Sequence, residues 1–257
     1  MGLELKYAKS VVAFLDVLGF RKLLRNKSET EKYFDAVIDG IGDLQKKDLK
    51  AILVSDSVVL KIPHESAQSV RDMLIAVARI QAQMAVKDIW LRGGVSIGDI
   101  DFKMVKGFQV VAGEALARAY EMESLYARYP RVMLDPAIKE VLGLNRVQFL
   151  KTIYNDNADF RQPVCDLLSP EDEKAFIPGV PVVADGLWVD YAFPILESKE
   201  RILEVSKNLR RRLYEGQEHY EKYRWVQGYF WTTFEQPYFK KKHGDEYETL
   251  LKVIGNL

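Results

Sequence analysis

The chain has 257 residues, 37 basic against 37 acidic side chains, and 48% hydrophobic residues. This hydrophobic content is enough for a packed core and excludes a disordered chain. A formal net charge of zero supplies no basic field for nucleic acid or an anionic membrane surface, and we expect neither as a partner.

Residues 1–10 lack the apolar segment of a signal peptide, and no apolar run approaches the ~20 residues that a membrane helix needs. A single cysteine, Cys165, excludes a disulfide framework. The three histidines are scattered and show no metal-ligand spacing: His64, His219 and His243. We therefore expect a cytoplasmic protein with one main domain and a C-terminal elaboration.

In chain order, the apolar segment Val11–Asp16 predicts a buried strand that Gly19 ends. A helix follows, for which Ser28 or Thr30 is the expected N-cap. A second apolar segment, residues 51–62, is interrupted by Ser55-Asp56-Ser57, which predicts a tight hairpin between two strands.

The next elements are a helix over 66–86 with an apolar stripe and a glycine-dense strand over 91–98. A hairpin or loop (99–111), a helix (113–128), a short strand (131–134) and a helix that starts at Pro136 follow. Beyond Val141 the pattern weakens to a loop-rich stretch (163–181), a closing strand (187–193) and a long helical region (198–231). Antiparallel hairpins with helices on one face predict an α+β domain of ferredoxin-like type.

Two isolated carboxylates stand in the two apolar segments, Asp16 near the end of the first strand and Asp56 in the hairpin. Burying an unpaired carboxylate is costly, and two of them on neighbouring strands repel each other unless a cation lies between them. Mg²⁺ and Mn²⁺ prefer such oxygen ligands together with substrate phosphates, and the backbone carbonyl of Val17 supplies a further oxygen. The pattern therefore predicts a two-metal phosphate site.

The turn after the first strand predicts a cradle for polyphosphate, because the amides of Leu18, Gly19 and Phe20 lead into a helix N-terminus. Each acid also admits a structural interpretation. Asp16 would then be the N-cap of the following helix, and Asp56 would be an ordinary hairpin-turn residue.

Four segments in the same order resemble class III nucleotidyl cyclases. Residues 14–20 resemble the first metal motif, Phe-x-Asp-(Ile/Val)-x-Gly-Phe, and Ser55-Asp56-Ser57 stands where those enzymes carry Gly-Asp. Residues 92–98 resemble their Arg-x-Gly-(Ile/Val)-x-x-Gly strand, and 113–123 resemble their Gly-x-x-(Val)-Asn-x-Ala-x-Arg-x-Glu helix. The similar region runs from about Val11 to Leu134, roughly half of the chain. The resemblance implies a cyclase-like catalytic core over residues 8–145, with closing strands and a C-terminal helical extension over 146–257.

The resemblance also implies a head-to-tail homodimer with sites at the interface. Two divalent cations, Mn²⁺ or Mg²⁺, would be held by Asp16, Asp56 and the Val17 carbonyl, and the substrate would be a nucleoside triphosphate. One cation would lower the pKa of the ribose 3′-hydroxyl, and the other would neutralise the departing pyrophosphate. The product would be a 3′,5′-cyclic nucleotide.

The chain departs from the family at two catalytic positions. Aligned on Gly113, the transition-state asparagine becomes Ala117 and the arginine becomes Glu121. Either the chain no longer catalyses, or other cations have taken over. Arg118, as a catalytic residue, and Arg131, as a phosphate-binding residue, are the candidates, since an arginine binds phosphate bidentately. An ordinary salt bridge is the alternative for both.

The base-recognition positions depart as well. The lysine that contacts adenine becomes Ile52, and its aspartate partner becomes Val110. These departures, with the segments 115–123 and 129–132, resemble the pyrimidine cyclases of Pycsar antiphage defence. That resemblance implies conversion of UTP, with CTP as the second choice, to a cyclic nucleotide that activates a TIR-domain or membrane effector. The alternative is a catalytically degenerate nucleotide-binding or interaction domain on the same fold.

Overall fold

The computed structural model describes residues 5–20, 24–42, 48–106, 108–145, 148–149, 152–153, 164–166, 186–215 and 219–256. Apart from 164–166, the predicted loop-rich stretch at 163–181 lies outside these residues. The strands are β1 (Ala8–Val17), β2 (Lys50–Val54), β3 (Ser57–Pro63), β4 (Leu91–Val105), β5 (Phe108–Ala112), β6 (Val132–Leu134), β7 (Val164–Asp166) and β8 (Leu187–Val189).

The first four helices are α1 (Lys27–Gly42), α2 (Ala67–Val86), α3 (Glu114–Glu121) and α4 (Ala137–Leu142). Five more follow β8: α5 (Ala192–Leu196), α6 (Lys199–Glu215), α7 (Tyr220–Phe234), α8 (Pro237–His243) and α9 (Tyr247–Gly255). In the part of the chain that is described, no helix has the length and apolar character needed to cross a membrane.

The strands form one mixed sheet in the order β2-β3-β1-β4-β6-β8-β7, with β5 paired to β4. β1 is central and antiparallel to both β3 and β4, whereas β4 and β6 are parallel. The order β2-β3-β1-β4 is that of a ferredoxin-like domain. The predicted α+β fold with hairpins and a helical C-terminal part is therefore confirmed.

Residues of β1 alternate between two cores because successive side chains of a strand point to opposite faces of the sheet. Val11, Ala13 and Leu15 pack against α1 and α2 in the largest core. Val12 lies on the other face in a smaller cluster with Ala115 and Ala119 of α3. Asp16 shares the face of Val12, so the carboxylate lies on the α3 side of the sheet.

Three sequence-based boundaries are corrected by side-chain caps and helix geometry. Asn26, not Ser28 or Thr30, caps α1, since its Oδ1 accepts from the backbone amides of Ser28 (3.0 Å) and Glu29 (3.4 Å). The strand predicted over 187–193 ends at Val189, because Asp190 Oδ1 accepts from the amides of the α5 residues Ala192 and Phe193. The helix predicted over 113–128 becomes α3 and a π-helical turn, Met122–Tyr126.

The C-terminal helices form a second core against the sheet. Its members include Trp90 before β4, Met133 of β6 and Trp188 of β8, together with α7 residues such as Tyr223 and Phe230. β8 and β7 extend the same sheet that carries β1. The C-terminal part therefore shares packing with the region that holds the candidate acids.

Asp88 fastens α6 to the connection between α2 and β4. The side chain is buried, the backbone has a φ of 60°, and Oδ1 accepts from Trp90 Nε1 at 3.0 Å and from Arg212 Nε at 3.1 Å. Arg211 also donates to its carboxylate. One buried acid thus satisfies an indole and two guanidinium groups.

We expect Asp88→Ala to lower the free energy of unfolding by about 2 kcal/mol, because the Trp90 N–H loses its acceptor and the ion pairs are broken. Asp88→Asn should cost less, since asparagine retains an acceptor and tolerates positive φ. Urea denaturation measures both. The control is Asp39→Ala, which breaks an exposed ion pair to Lys87 (3.5 Å) and should change stability by less than about 1 kcal/mol. Equal losses in Asp88→Ala and the control would contradict the expectation.

Candidate active site around Asp16 and Asp56

The strand register brings the two predicted acids together. Asp16 is the cross-strand partner of Ser57, the residue that follows Asp56. The Val17 amide donates to the Asp56 carbonyl oxygen at 3.1 Å. Asp56 lies in the β2–β3 turn next to Ser55, which has a φ of 57°. Asp56 is thus a turn residue as well as a candidate ligand, whereas Asp16 lies within β1 and its carboxylate is bound to an arginine.

That arginine is Arg92 of β4, directly opposite Asp16 in the antiparallel pair. Arg92 Nε donates to Asp16 Oδ2 at 3.0 Å, and its Nη2 lies 2.7 Å from Glu123 Oε1. Glu123 comes from the π-helical turn after α3, and its side chain is only 5% exposed. Arg92 therefore links two carboxylates from different elements.

Among the described residues, the cluster carries more negative than positive charge. The carboxylates of Asp16, Asp56 and Glu123 lie near the two cations Arg92 and Lys222. Burial raises the pKa of Asp16; Arg92 opposes the rise and the Asp56 carboxylate adds to it. Burial likewise raises the pKa of Glu123 against the attraction of Arg92. At both acids, the effect of burial thus outweighs the attraction of Arg92.

Tyr33 of α1 lies behind the two acids. Its side chain is fully buried, and its hydroxyl has no hydrogen-bond partner among the described residues. Burial raises the pKa of Tyr33, and the carboxylates of Asp56 and Asp16 raise it further. The hydroxyl therefore stays protonated as a donor close to both acids.

The predicted phosphate cradle changes in detail. The Leu18 amide donates to the Trp90 carbonyl oxygen at 2.8 Å, so this N–H is engaged within the fold and does not point at a ligand. Gly19 has a φ of 77°, a conformation that favours glycine. The Phe20 ring is 3% exposed and packs on Tyr33 with centroids 5.1 Å apart, so its side chain belongs to the core. Of the three residues, only Gly19 therefore remains a candidate for contact with a phosphate.

The two candidate arginines lie in different surroundings. Arg118 is 40% exposed and pairs with Glu114 at 3.1 Å and with Asp135 at 3.6 Å. The Arg131 guanidinium lies over the rings of Tyr129, Trp188 and Trp225, at 5.4, 5.1 and 5.7 Å from their centroids. Ion pairs of this kind and stacking on aromatic rings are both typical of arginines with a structural role. Phosphate binding by Arg118 or Arg131 stays a prediction.

The positions that replace the family's base and transition-state residues do not converge within one chain. Ile52 is buried in the small apolar cluster on the α3 face, whereas half-buried Val110 lies on β5 opposite Lys103. β2 and β5 are not neighbours in the sheet. Ala117 and Glu121 are exposed on α3. The exposed side of α3 that carries Ala117 and Glu121 would form a substrate site only together with residues from another molecule.

The donor set fits divalent cations. In the described part of the chain, no three His, Cys, Asp or Glu side chains are grouped to hold a metal ion. Mg²⁺ commonly takes one or two carboxylates and completes its shell with substrate phosphates and water, which Asp16, Asp56 and the Val17 carbonyl allow. Glu123 Oε1 is buried and accepts no hydrogen bond from the described residues, despite its ion pair with Arg92. An added cation would relieve the excess negative charge.

Three site residues were missed from the sequence: Arg92, Glu123 and Lys222. Arg92 belongs to the glycine-dense strand, and only the β1–β4 register shows that it faces Asp16. Glu123 lies at the end of a helical motif. The π-helical turn that buries its side chain is not predicted by the 3.6-residue periodicity of an α-helix. Lys222 lies in the C-terminal helices, and nothing in the sequence relates it to β1.

No model of a known protein family matches the sequence. No curated protein matches it either. Among solved structures, the guanylyl cyclase Cya2 is 11% identical, with coverage of 73% of this chain and 93% of that chain and a TM-score of 0.46. An adenylate/guanylate cyclase/hydrolase from Silicibacter pomeroyi is 13% identical, with coverage of 72% and 98% and a TM-score of 0.42.

A bacterial light-regulated adenylyl cyclase is 15% identical, with coverage of 54% of this chain and 46% of that chain and a TM-score of 0.39. All three TM-scores lie below 0.5. These likenesses therefore carry no weight for the activity, which has to be inferred from the site residues.

Proposed function

We propose that the protein is a metal-dependent pyrimidine nucleotide cyclase that converts UTP, and less readily CTP, to the 3′,5′-cyclic nucleotide and pyrophosphate. The observation that carries the proposal is the convergence of Asp16 and Asp56 at the ends of β1 and the β2–β3 hairpin, beside buried Glu123. The sequence motifs around both acids resemble the metal motifs of class III cyclases. A carboxylate-rich, under-neutralised site of this kind suits a triphosphate bound with cations.

Asp16, Asp56 and the Val17 carbonyl would hold two divalent cations. When bound, such cations make the ribose 3′-hydroxyl more acidic and neutralise the polyphosphate. In the reaction, the 3′-oxygen loses its proton to water and bonds to the α-phosphorus. The bond from the α-phosphorus to the bridging oxygen breaks, and pyrophosphate leaves with the electron pair.

The chain's own residues would position the substrate. Arg92 Nε occupies one oxygen of Asp16, Oδ2, and a bound triphosphate offers this guanidinium a competing anion. Gly19 has no side chain of its own, which allows a phosphate to approach its backbone closely. Arg118 and Arg131 remain candidate phosphate contacts, which each would make by exchanging a present partner for a phosphate oxygen.

The choice of a pyrimidine rests on the residues that replace the purine contacts. Ile52 and Val110 carry no polar group, so neither reproduces the lysine–aspartate pair of adenylyl cyclases. Apolar side chains at these two positions offer no hydrogen bond to the purine edge. The resemblance of segments 115–123 and 129–132 to Pycsar cyclases supports UTP and, with it, a role in activating a TIR-domain or membrane effector through the cyclic nucleotide.

A homodimer is part of the proposal. Several large apolar side chains are exposed, among them Val54 (62%), Met104 (66%), Tyr120 (54%) and Leu125 (52%). The Phe14 and Tyr120 rings meet edge to face at 5.4 Å on the α3 side of the sheet. Ala117 and Glu121 are exposed on the same helix. A second copy that covers this side would bring further residues to the Asp16 site.

A non-enzymatic nucleotide-binding domain is the second candidate function. Ala117 and Glu121 stand where the family has its transition-state pair, and Arg92 already neutralises Asp16. Such a domain would be stabilised by nucleotide without releasing pyrophosphate.

The test is to incubate the purified protein with UTP, CTP, ATP or GTP and Mn²⁺, and to separate the products by chromatography. We expect cyclic UMP and equimolar pyrophosphate from UTP, a smaller yield from CTP, and none without a divalent cation. Nucleotide-dependent thermal stabilisation with no product from any triphosphate would support the second function instead. Preferred turnover of ATP or GTP would overturn the pyrimidine assignment.

A further inference from the structure

The first turn of α7 covers the turn that follows β1. An atom added at the Cβ position of Gly19 would lie 4.0 Å from His219 Nε2, the residue before α7. The Tyr223 ring lies against Trp90 with centroids 6.0 Å apart, and the Trp90 carbonyl oxygen accepts from the Leu18 amide. The C-terminal extension therefore closes one side of the candidate site.

Lys222 lies in this turn, between two residues with fixed contacts. On one side, Glu221 pairs with Arg128 at 3.6 Å, and on the other, Tyr223 is 5% exposed against Trp90. Lys222 itself is half-buried. The carboxylates of Asp16 and Glu123 are close enough to attract its ammonium.

Burial lowers the pKa of Lys222, and the guanidinium groups of Arg92 and Arg128 lower it further against the pull of Asp16 and Glu123. A half-buried cation near two guanidinium groups would be stabilised further by an anionic ligand.

The site also lacks the cation that the family has on helix α3, since Glu121 stands where the family carries its arginine. A triphosphate bound beside three carboxylates needs positive charge beyond two metal ions. Lysine is a compact point charge that serves as a phosphate ligand in many proteins. The first turn of α7 begins beside Gly19, and Arg92 is among the charges that act on Lys222, so Lys222 lies on the side of the predicted polyphosphate position.

We propose that Lys222 binds the polyphosphate of a nucleoside triphosphate held at the Asp16–Asp56 site, so that the C-terminal helices contribute a substrate-binding residue from the same chain. The inference deepens the proposed function and rests on it for the identity of the nucleotide. It makes α7 a part of the site as well as a part of the second core.

The test compares Lys222→Met, which keeps the length of the side chain without its charge, with Lys222→Arg and wild type. The matched control is Lys207→Met, whose side chain is 76% exposed on α6. Calorimetric titration with a non-hydrolysable UTP analogue, with tripolyphosphate and with uridine, all in Mg²⁺, separates phosphate binding from base binding. We expect Lys222→Met to weaken binding of the UTP analogue and tripolyphosphate about 10-fold or more and to leave uridine unchanged. Lys222→Arg should retain most of the affinity, and Lys207→Met all of it.

Three results would overturn the inference: unchanged tripolyphosphate affinity in Lys222→Met, an equal loss for uridine, or no tripolyphosphate binding to wild type. The outcome is separable from that of the proposed function. If wild type binds tripolyphosphate through Lys222 but cyclises no nucleotide, the cyclase proposal fails and the phosphate contact stands. If wild type cyclises UTP with a KM that Lys222→Met leaves unchanged, only the phosphate contact fails.

Discussion

Asparagine in place of Asp16 or Asp56 is expected to lower kcat/KM for UTP cyclisation by about 100-fold or more in each single variant. Removal of one carboxylate takes a charged oxygen from the cations and leaves the polyphosphate less neutralised, and stabilisation by a metal ion is worth several kcal/mol in a transition state. Steady-state kinetics with Mn²⁺ measures the loss. Raising the Mn²⁺ concentration should recover part of it, since the remaining ligands still bind the ion weakly.

Both variants should remain folded, which makes the loss of activity specific. Asp56→Asn suits the hairpin, because asparagine accepts turn conformations as aspartate does. Asp16→Asn keeps an amide oxygen as acceptor for Arg92 Nε, the donor that lies 3.0 Å from Asp16 Oδ2. Circular dichroism and the denaturation midpoint check the fold. The control is Asp39→Asn, whose side chain is 71% exposed on α1 and should leave the activity unchanged. Wild-type turnover in either site variant would exclude metal ligation by that residue.

The local sequence was sufficient to predict the strands and the hairpin that carry Asp16 and Asp56, and that the two acids lie close together. Apolar β-branched runs defined β1, β2 and β3, and Ser55-Asp56-Ser57 placed the hairpin turn, which the structure has at residues 55–56. Because side chains alternate along a strand, the position of Asp16 in the run fixed its face once the core face was known. These features depend on neighbours a few residues apart, which a pattern records.

Other features depend on contacts between distant segments, which no pattern in this single sequence records. The β1–β4 register sets Arg92 opposite Asp16, and the packing of α7 brings Lys222 to the same cluster. The Leu18 amide donates to the carbonyl oxygen of Trp90, the residue before β4, so this N–H is not available to a phosphate as the sequence predicted. The closing strand stopped early because Asp190 caps the following helix, a competition between local hydrogen bonds and strand pairing.

In the glycine-dense strand β4, Gly94 lies where another element packs very closely on the sheet. An atom added at its Cβ position would lie 2.3 Å from the Ala119 carbonyl oxygen and 2.4 Å from Met122 Cβ. Both belong to α3 and the turn after it, so no side-chain rotation relieves the clash. Gly94→Ala must displace that helix from the sheet, and with it Glu123, one residue beyond Met122.

We expect Gly94→Ala to lower the free energy of unfolding by about 1–3 kcal/mol, the cost of overpacking a tight contact. It should also reduce nucleotide cyclisation in the fraction that stays folded, since Glu123 and its partner Arg92 shift together. Gly98→Ala is the matched control on the same face of β4. Its added atom would meet Ala115 at 3.5 Å, an ordinary contact distance, and stability should change by less than about 1 kcal/mol. Urea denaturation measures the stability of both variants. A larger loss of stability in Gly94→Ala would show that the close contact with α3 requires glycine at this position. Equal losses in the two variants would instead show that alanine is poorly tolerated anywhere in this strand and would contradict the expectation.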